Sequence, residues 1–140
     1  MRQREQALVL MDKARQDEGL VREVLHAEHI ADELIGFHCQ QAIEKLLKAA
    51  LTAWGVRYRR THDLRELMDV LTDTGHPLPD SLESADAFTP YAIVHRYEAI
   101  APPVTLDRAG ALDMVRRVRE WAETQVHGQD TGQGAPAQSP

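Results

Sequence analysis

The stretch from residue 30 to 54, IADELIGFHCQQAIEKLLKAALTAW, limits the fold more than any other part of the chain. It is built from good helix formers, and at 3.6 residues per turn Ile35, Cys39, Ala42, Ile43, Leu46, Ala50, Ala53 and Trp54 share one broad face. Ile30, Leu34 and Phe37 lie on the opposite side, in line with Gln41, Lys45 and Lys48. A helix that is apolar on two faces has to be covered on both. One cover is the core of a multi-helix domain. The other is a further helix or a second copy of the chain, and Ile30, Leu34 and Phe37 are the expected homodimer interface.

The flanking segments supply the partners. Ala7, Leu10, Ala14, Val21 and Val24 recur at three- and four-residue steps, which predicts a helix over 4–25 that Gly19 weakens. Gly55 ends the second helix. Thr61 is the expected N-cap of a third helix, with Asp63 in its first turn and Leu64, Leu67, Met68 and Leu71 inward. A fourth helix is expected over 81–97, bent at Pro90. A fifth is expected over 106–126, capped by Thr105, with Leu112, Val115, Val118 and Ala122 inward. No strand-like alternation occurs. The expected fold is all-α, an up-and-down antiparallel bundle of four to five helices over residues 1–127. Residues 128–140, GQDTGQGAPAQSP, lack an apolar anchor and are expected to form a disordered tail.

Composition excludes several classes. No segment approaches the roughly 20 apolar residues that span a bilayer, and the N-terminus does not resemble a signal peptide, so no membrane partner is expected. A single cysteine, Cys39, rules out an internal disulfide and suits a reducing, cytoplasmic location. The formal charge of −6 disfavours a generic nucleic-acid binder. Two clusters run against it, Arg57, Arg59 and Arg60, and Arg116, Arg117 and Arg119. Each is either a local anion site or a set of solvated surface arginines.

Seven histidines invite a metal, but no HExxH or paired Cys/His spacing is present, and no metal or other cofactor is expected. Phosphate-cradling glycine loops are absent as well. Cys39 lies on the core face, where a thiol is a small buried hydrophobe. His62 beside Asp63 has two readings. A neutral imidazole near arginines can act as a general base on a phosphate ester, or His62 simply opens a capped helix.

Phe37, Gln40, Gln41, Ala42, Glu44, Lys45, Leu47, Lys48 and Ala49 fit the pattern F-x-x-Q-Q-A-x-E-K-x-L-K-A. Thr61, His62, Asp63 and Leu64 follow as T-H-D-L, and Tyr91 with Arg96-Tyr97 completes the order. Over residues 5–126 the chain resembles the HEPN domain, the helical "higher eukaryotes and prokaryotes nucleotide-binding" domain. The resemblance implies a four- to five-helix bundle, commonly dimeric. It also implies a nucleotidyltransferase-type partner, in a toxin–antitoxin pair or a split nucleotidyltransferase, and a nucleotide or RNA ligand. The residues it nominates for ligand or partner contact are Gln41, Lys45, Lys48, His62, Asp63, Tyr91, Arg96 and Tyr97. Glu44 and Lys48, at i, i+4, also suit a plain ion pair.

Some branches of that superfamily are metal-independent ribonucleases with an R-x4–6-H motif, typically with Asn after Arg. Arg22 with His29 and Arg57 with His62 satisfy the spacing. Thirteen arginines among seven histidines produce about two such pairs by chance, and neither arginine is followed by Asn. Arg57 and His62 are therefore the alternative catalytic pair to a non-catalytic binding module. A dimeric scaffold without a ligand is the third possibility.

Overall fold

The computed structural model describes residues 2–93 and 105–134. Among them stand four α-helices, α1 (Arg2–Val24), α2 (Asp32–Ala53), α3 (Leu64–Asp73) and α4 (Arg108–Gly134), with a run of 3-10 turns over Asp80–Ile93 between the last two. No strand occurs among the described residues. The molecule is an all-α bundle with α2 at its centre, packed against all four other elements.

Helix α2 is central because its sequence allows burial nearly all round. Ile35, Cys39, Ala42, Ile43, Leu46 and Ala50 are buried as the periodicity predicts. Leu47, Ala49 and Leu51 are buried as well, on faces turned to other neighbours. Trp54 and Gly55 close the helix. Gly55 takes a positive φ of 70°, and the Val56 amide returns to the Leu51 carbonyl at 2.9 Å. The Gln3 side chain of α1 lies against this glycine, so the start of α1 is seated on the end of α2. Helix α1 runs unbroken through Gly19, its buried Ala7, Met11, Ala14 and Val21 facing the core.

The helix starts differ from expectation. Asp63, not Thr61, caps α3: its side chain accepts the Arg65 amide at 3.0 Å, while Thr61 Oγ1 accepts the Asp63 amide at 3.1 Å. Carboxylate and hydroxyl both cap well, and here they act one after the other. Asp107, not Thr105, serves α4 by accepting the Gly110 amide at 3.0 Å. At its far end α4 is described as far as Gly134, beyond residue 127; a glycine costs an existing helix only about 1 kcal/mol.

The fourth segment is a 3-10 run and not an α-helix. Leu82 and Ala85 are buried, and Phe88 and Tyr91 half-buried, at every third position. Three residues per turn aligns those four on one face, and 3.6 would not. The ring of Tyr91 lies on Gly36 of α2, where an added Cβ would collide with the ring.

Arg108 joins three segments at one end of the bundle. Its guanidinium donates to the carbonyls of Leu25, Ala27 and Ile30 at 3.2, 2.9 and 2.6 Å, and to Asp32 Oδ1 at 2.8 Å. Asp32 Oδ2 accepts the Leu106 amide at 3.0 Å. These bonds hold the Asp32 carboxyl below its usual range. The turn between α1 and α2 is thus tied to the start of α4.

Candidate functional site

The polar residues of α2 meet the loop before α3 in a connected network. Gln41 Nε2 donates to Gln40 Oε1 at 2.7 Å, and the fully buried Gln40 donates to Glu44 Oε1 at 2.8 Å and to the His62 carbonyl at 3.2 Å. Lys48 Nζ donates to Glu44 Oε2 at 2.8 Å, and His62 Nδ1 lies 2.9 Å from Glu44 Oε1. Glu44 is only 5% exposed. Burial raises its pKa, but Lys48, Gln40 and His62 together outweigh that cost and hold it below the ordinary value. An ionised carboxylate only accepts hydrogen bonds, so His62 Nδ1 carries the proton. The Nε2 edge belongs to a side chain that is 66% exposed.

A second tie runs from α2 to α1. Lys45 Nζ donates to Asp17 Oδ2 at 2.6 Å, and His38 Nδ1 lies 3.0 Å from Asp17 Oδ1. Of the stripe Gln41, Lys45 and Lys48, each member therefore has a partner inside the chain. Glu44 and Lys48 form the i, i+4 ion pair, largely buried, with Lys48 Nζ 5.8 Å from the Tyr58 ring centre. Cys39 is buried in the core, and desolvation, with the Asp17 charge, pushes its thiol up to about 12.

The arginine clusters behave differently. In the later one, Arg116 pairs with Asp113 and Glu120, and Arg119 with Glu18 and Glu123, while Arg117 donates only to the Ser81 carbonyl at 3.4 Å. In the earlier one, Arg59 grips Glu66 through Nε and Nη2 at 2.9 and 2.6 Å. Arg57 and Arg60 are exposed and have no ionic partner among the described residues. They share the 56–63 loop with His62, although Arg57 and His62 do not touch. Arg22 pairs with Glu18, and His29 is exposed in the α1–α2 turn.

Asp63 is the α3 cap. Tyr91 packs on Gly36, its hydroxyl held above the usual value by burial and by the Asp32 and Glu33 charges. Arg96 and Tyr97 lie outside the described residues. Leu34 is 43% exposed, and Ile30 and Phe37 are half-buried. Among the described residues no group of three or more His, Cys, Asp or Glu side chains is placed to hold a metal, and no helix is long and apolar enough to cross a membrane.

Sequence reasoning undervalued Gln40 and Glu44, which tie His62 to α2. Their signal was present: with Lys48 they fall at i, i+4 and i+8, one line along a helix. Asp17 and Arg108 gave no comparable local signal, since their partners are distant in the chain.

A helical bundle whose central helix carries a buried Gln-Glu-Lys network onto a T-H-D-L helix start is a specific combination. The HEPN domain model matches residues 7–125, and the chain belongs to the HEPN-domain family. No curated protein and no solved structure gives a significant match. The membership supports a nucleotide- or RNA-related role in general terms.

Proposed function

We propose that this HEPN-domain chain is a non-catalytic, dimeric partner of a nucleotidyltransferase-type protein, in a cytoplasmic toxin–antitoxin or split-nucleotidyltransferase pairing, and that it binds nucleotide or RNA phosphates at its 56–63 loop. The observation that carries the binding reading is the contrast within the molecule. Lys45, Lys48, Arg59, Arg116 and Arg119 are all committed to carboxylates, whereas Arg57 and Arg60, like Arg2 and Lys13 on α1, have no ionic partner among the described residues, and these two share one short loop with the exposed His62. In a chain of net charge −6, two free guanidiniums in one loop form a confined anion site. The α2 network fixes the loop from beneath through the His62 carbonyl and imidazole.

Fluorescence anisotropy of a labelled single-stranded RNA across a salt series tests this. Affinity falls with salt, and Arg57→Ala with Arg60→Ala reduces the slope of log K against log salt by about 1.4, two phosphate contacts at about 0.7 each. An unchanged slope refutes the assignment. The dimer reading is supported by the exposed Leu34 and by a small cavity of about 90 Å³ lined by Leu20, Val24, Ile30 and Leu34.

Metal-independent ribonuclease chemistry is favoured by one observation, the Glu44–His62 hydrogen bond, which orients the imidazole with Nε2 as its acceptor. In that mechanism His62 is the base and Arg57 holds the scissile phosphate. RNA cleavage in EDTA that disappears in His62→Ala would establish it over the binding reading.

A further inference from the structure

An open cavity of about 530 Å³ lies beside the same loop, between the first turns of α1, the end of α2 and Tyr58. That is within the size range of small-ligand sites, roughly 300–1,000 Å³. Its apolar surface comes from Val9, Leu10 and the Tyr58 ring, and its polar edge from Arg2, Glu5, Gln6 and Thr52. Val9 is 54% exposed, the highest value among the exposed large hydrophobic residues described. The contact of Gln3 with Gly55 fixes the α1 wall against the α2 wall, so the cavity is bounded by tied elements. Tyr58 is flanked in the chain by Arg57 and followed two residues on by Arg60.

We propose that this cavity receives the base of a nucleotide, or of an unpaired RNA residue, whose phosphates rest on Arg57 and Arg60. The inference rests on the phosphate-binding reading above and names the rest of the ligand. Val9, Leu10 and an aromatic ring suit a flat apolar face, the surface a base offers. Arg2 and Glu5 line the cavity together and offset one another in charge, so the surplus cations left for the phosphates are Arg57 and Arg60, next to Tyr58 in the chain. A carboxylate accepts from an exocyclic amine, so Glu5 selects adenine, guanine or cytosine over uracil, which has none. Gln6 supplies both a donor and an acceptor to the same edge.

The test is isothermal titration of the full chain with ATP, GTP, CTP, UTP and inorganic tripolyphosphate, without divalent metal. Base stacking at about 1–3 kcal/mol corresponds to about 5- to 150-fold, so the amine-bearing nucleotides bind at least about fivefold tighter than tripolyphosphate. Val9→Gln and Tyr58→Ala bring them down to the tripolyphosphate level and leave tripolyphosphate itself unchanged. Val9 is exposed, so its variant folds even where loss of Tyr58 disturbs the loop. Glu5→Gln narrows the preference over UTP. Nucleotides that bind no tighter than tripolyphosphate, or that ignore both cavity variants, overturn the base site while the phosphate reading stands. Nucleotides that respond to the cavity variants but not to Arg57→Ala with Arg60→Ala support the base site and refute the phosphate assignment. An absence of binding by every compound refutes both.

Discussion

Glu44 is the residue on which the α2 network converges, and its removal has a calculable consequence. In Glu44→Ala, Lys48 loses its carboxylate, His62 loses its Nδ1 acceptor, and Gln40 keeps only the His62 carbonyl as acceptor for Nε2. Removing one partner of a buried ion pair costs about 3–5 kcal/mol. The Lys48 side chain retains 15% exposure and can turn toward water past Tyr58, so the expected loss is about 3 kcal/mol. Glu44→Gln keeps the shape and an acceptor oxygen but turns an amide donor toward the ammonium, for about 1–2 kcal/mol. Replacing both charges, Glu44→Leu with Lys48→Met, recovers much of the difference, because an apolar pair of similar volume avoids the desolvation cost. Urea unfolding followed by helical circular dichroism at pH 7, with unchanged m-values, measures all three. The pH dependence has a definite sign. The folded pKa of Glu44 is depressed, so its contribution is complete above the ordinary value near 4.5 and is lost as pH falls through the folded value. The gap between wild type and Glu44→Gln therefore narrows on acidification. A loss below 1 kcal/mol for Glu44→Ala, equal at pH 7 and in acid, would refute an ionised Glu44 at the centre of the network.

Three further outcomes follow from the packing. Arg108→Met removes one ionic and three carbonyl hydrogen bonds and lowers stability by about 3 kcal/mol in the same urea assay, with Asp32 losing its cation. Gly36→Ala drives a Cβ into the Tyr91 ring and costs about 1–3 kcal/mol by urea unfolding, and Tyr91→Ala in the same chain relieves most of that clash. Phe37→Asp and Leu34→Asp convert the proposed dimer to a folded monomer in sedimentation velocity; an unchanged mass refutes that interface.

Much of the bundle was legible because its apolar positions are periodic at 3.6. The inward residues of α3, Leu64, Leu67, Met68 and Leu71, and most of the α2 core face emerge from spacing alone. The 3-10 run reads as an α-helix in sequence because Leu82, Ala85, Phe88 and Tyr91 repeat at three, a step that also occurs within an α-helical pattern. The caps fall two residues later than spacing predicts because Thr61 and Thr105 are good caps themselves, and only the fold shows Asp63 and Asp107 taking the amides. For the candidate site, spacing put Gln41, Lys45 and Lys48 on one stripe but could not reveal Asp17, 28 positions before Lys45, as a competing partner. Long-range pairing also separates individual arginines: Glu18 engages Arg119 from 101 positions away, while no ionic partner among the described residues reaches Arg57 or Arg60. Such commitments depend on how helices meet, and local sequence carries no record of them.

The most direct test of the central claim incubates the purified chain with labelled single-stranded RNA in EDTA and follows anisotropy and product length in the same sample. A binding module gives saturable, salt-sensitive anisotropy, intact RNA, and weakened binding in Arg57→Ala with Arg60→Ala. RNA shortened by the wild-type chain and left whole by His62→Ala would contradict it, and would make the Glu44–His62 pair part of a nuclease.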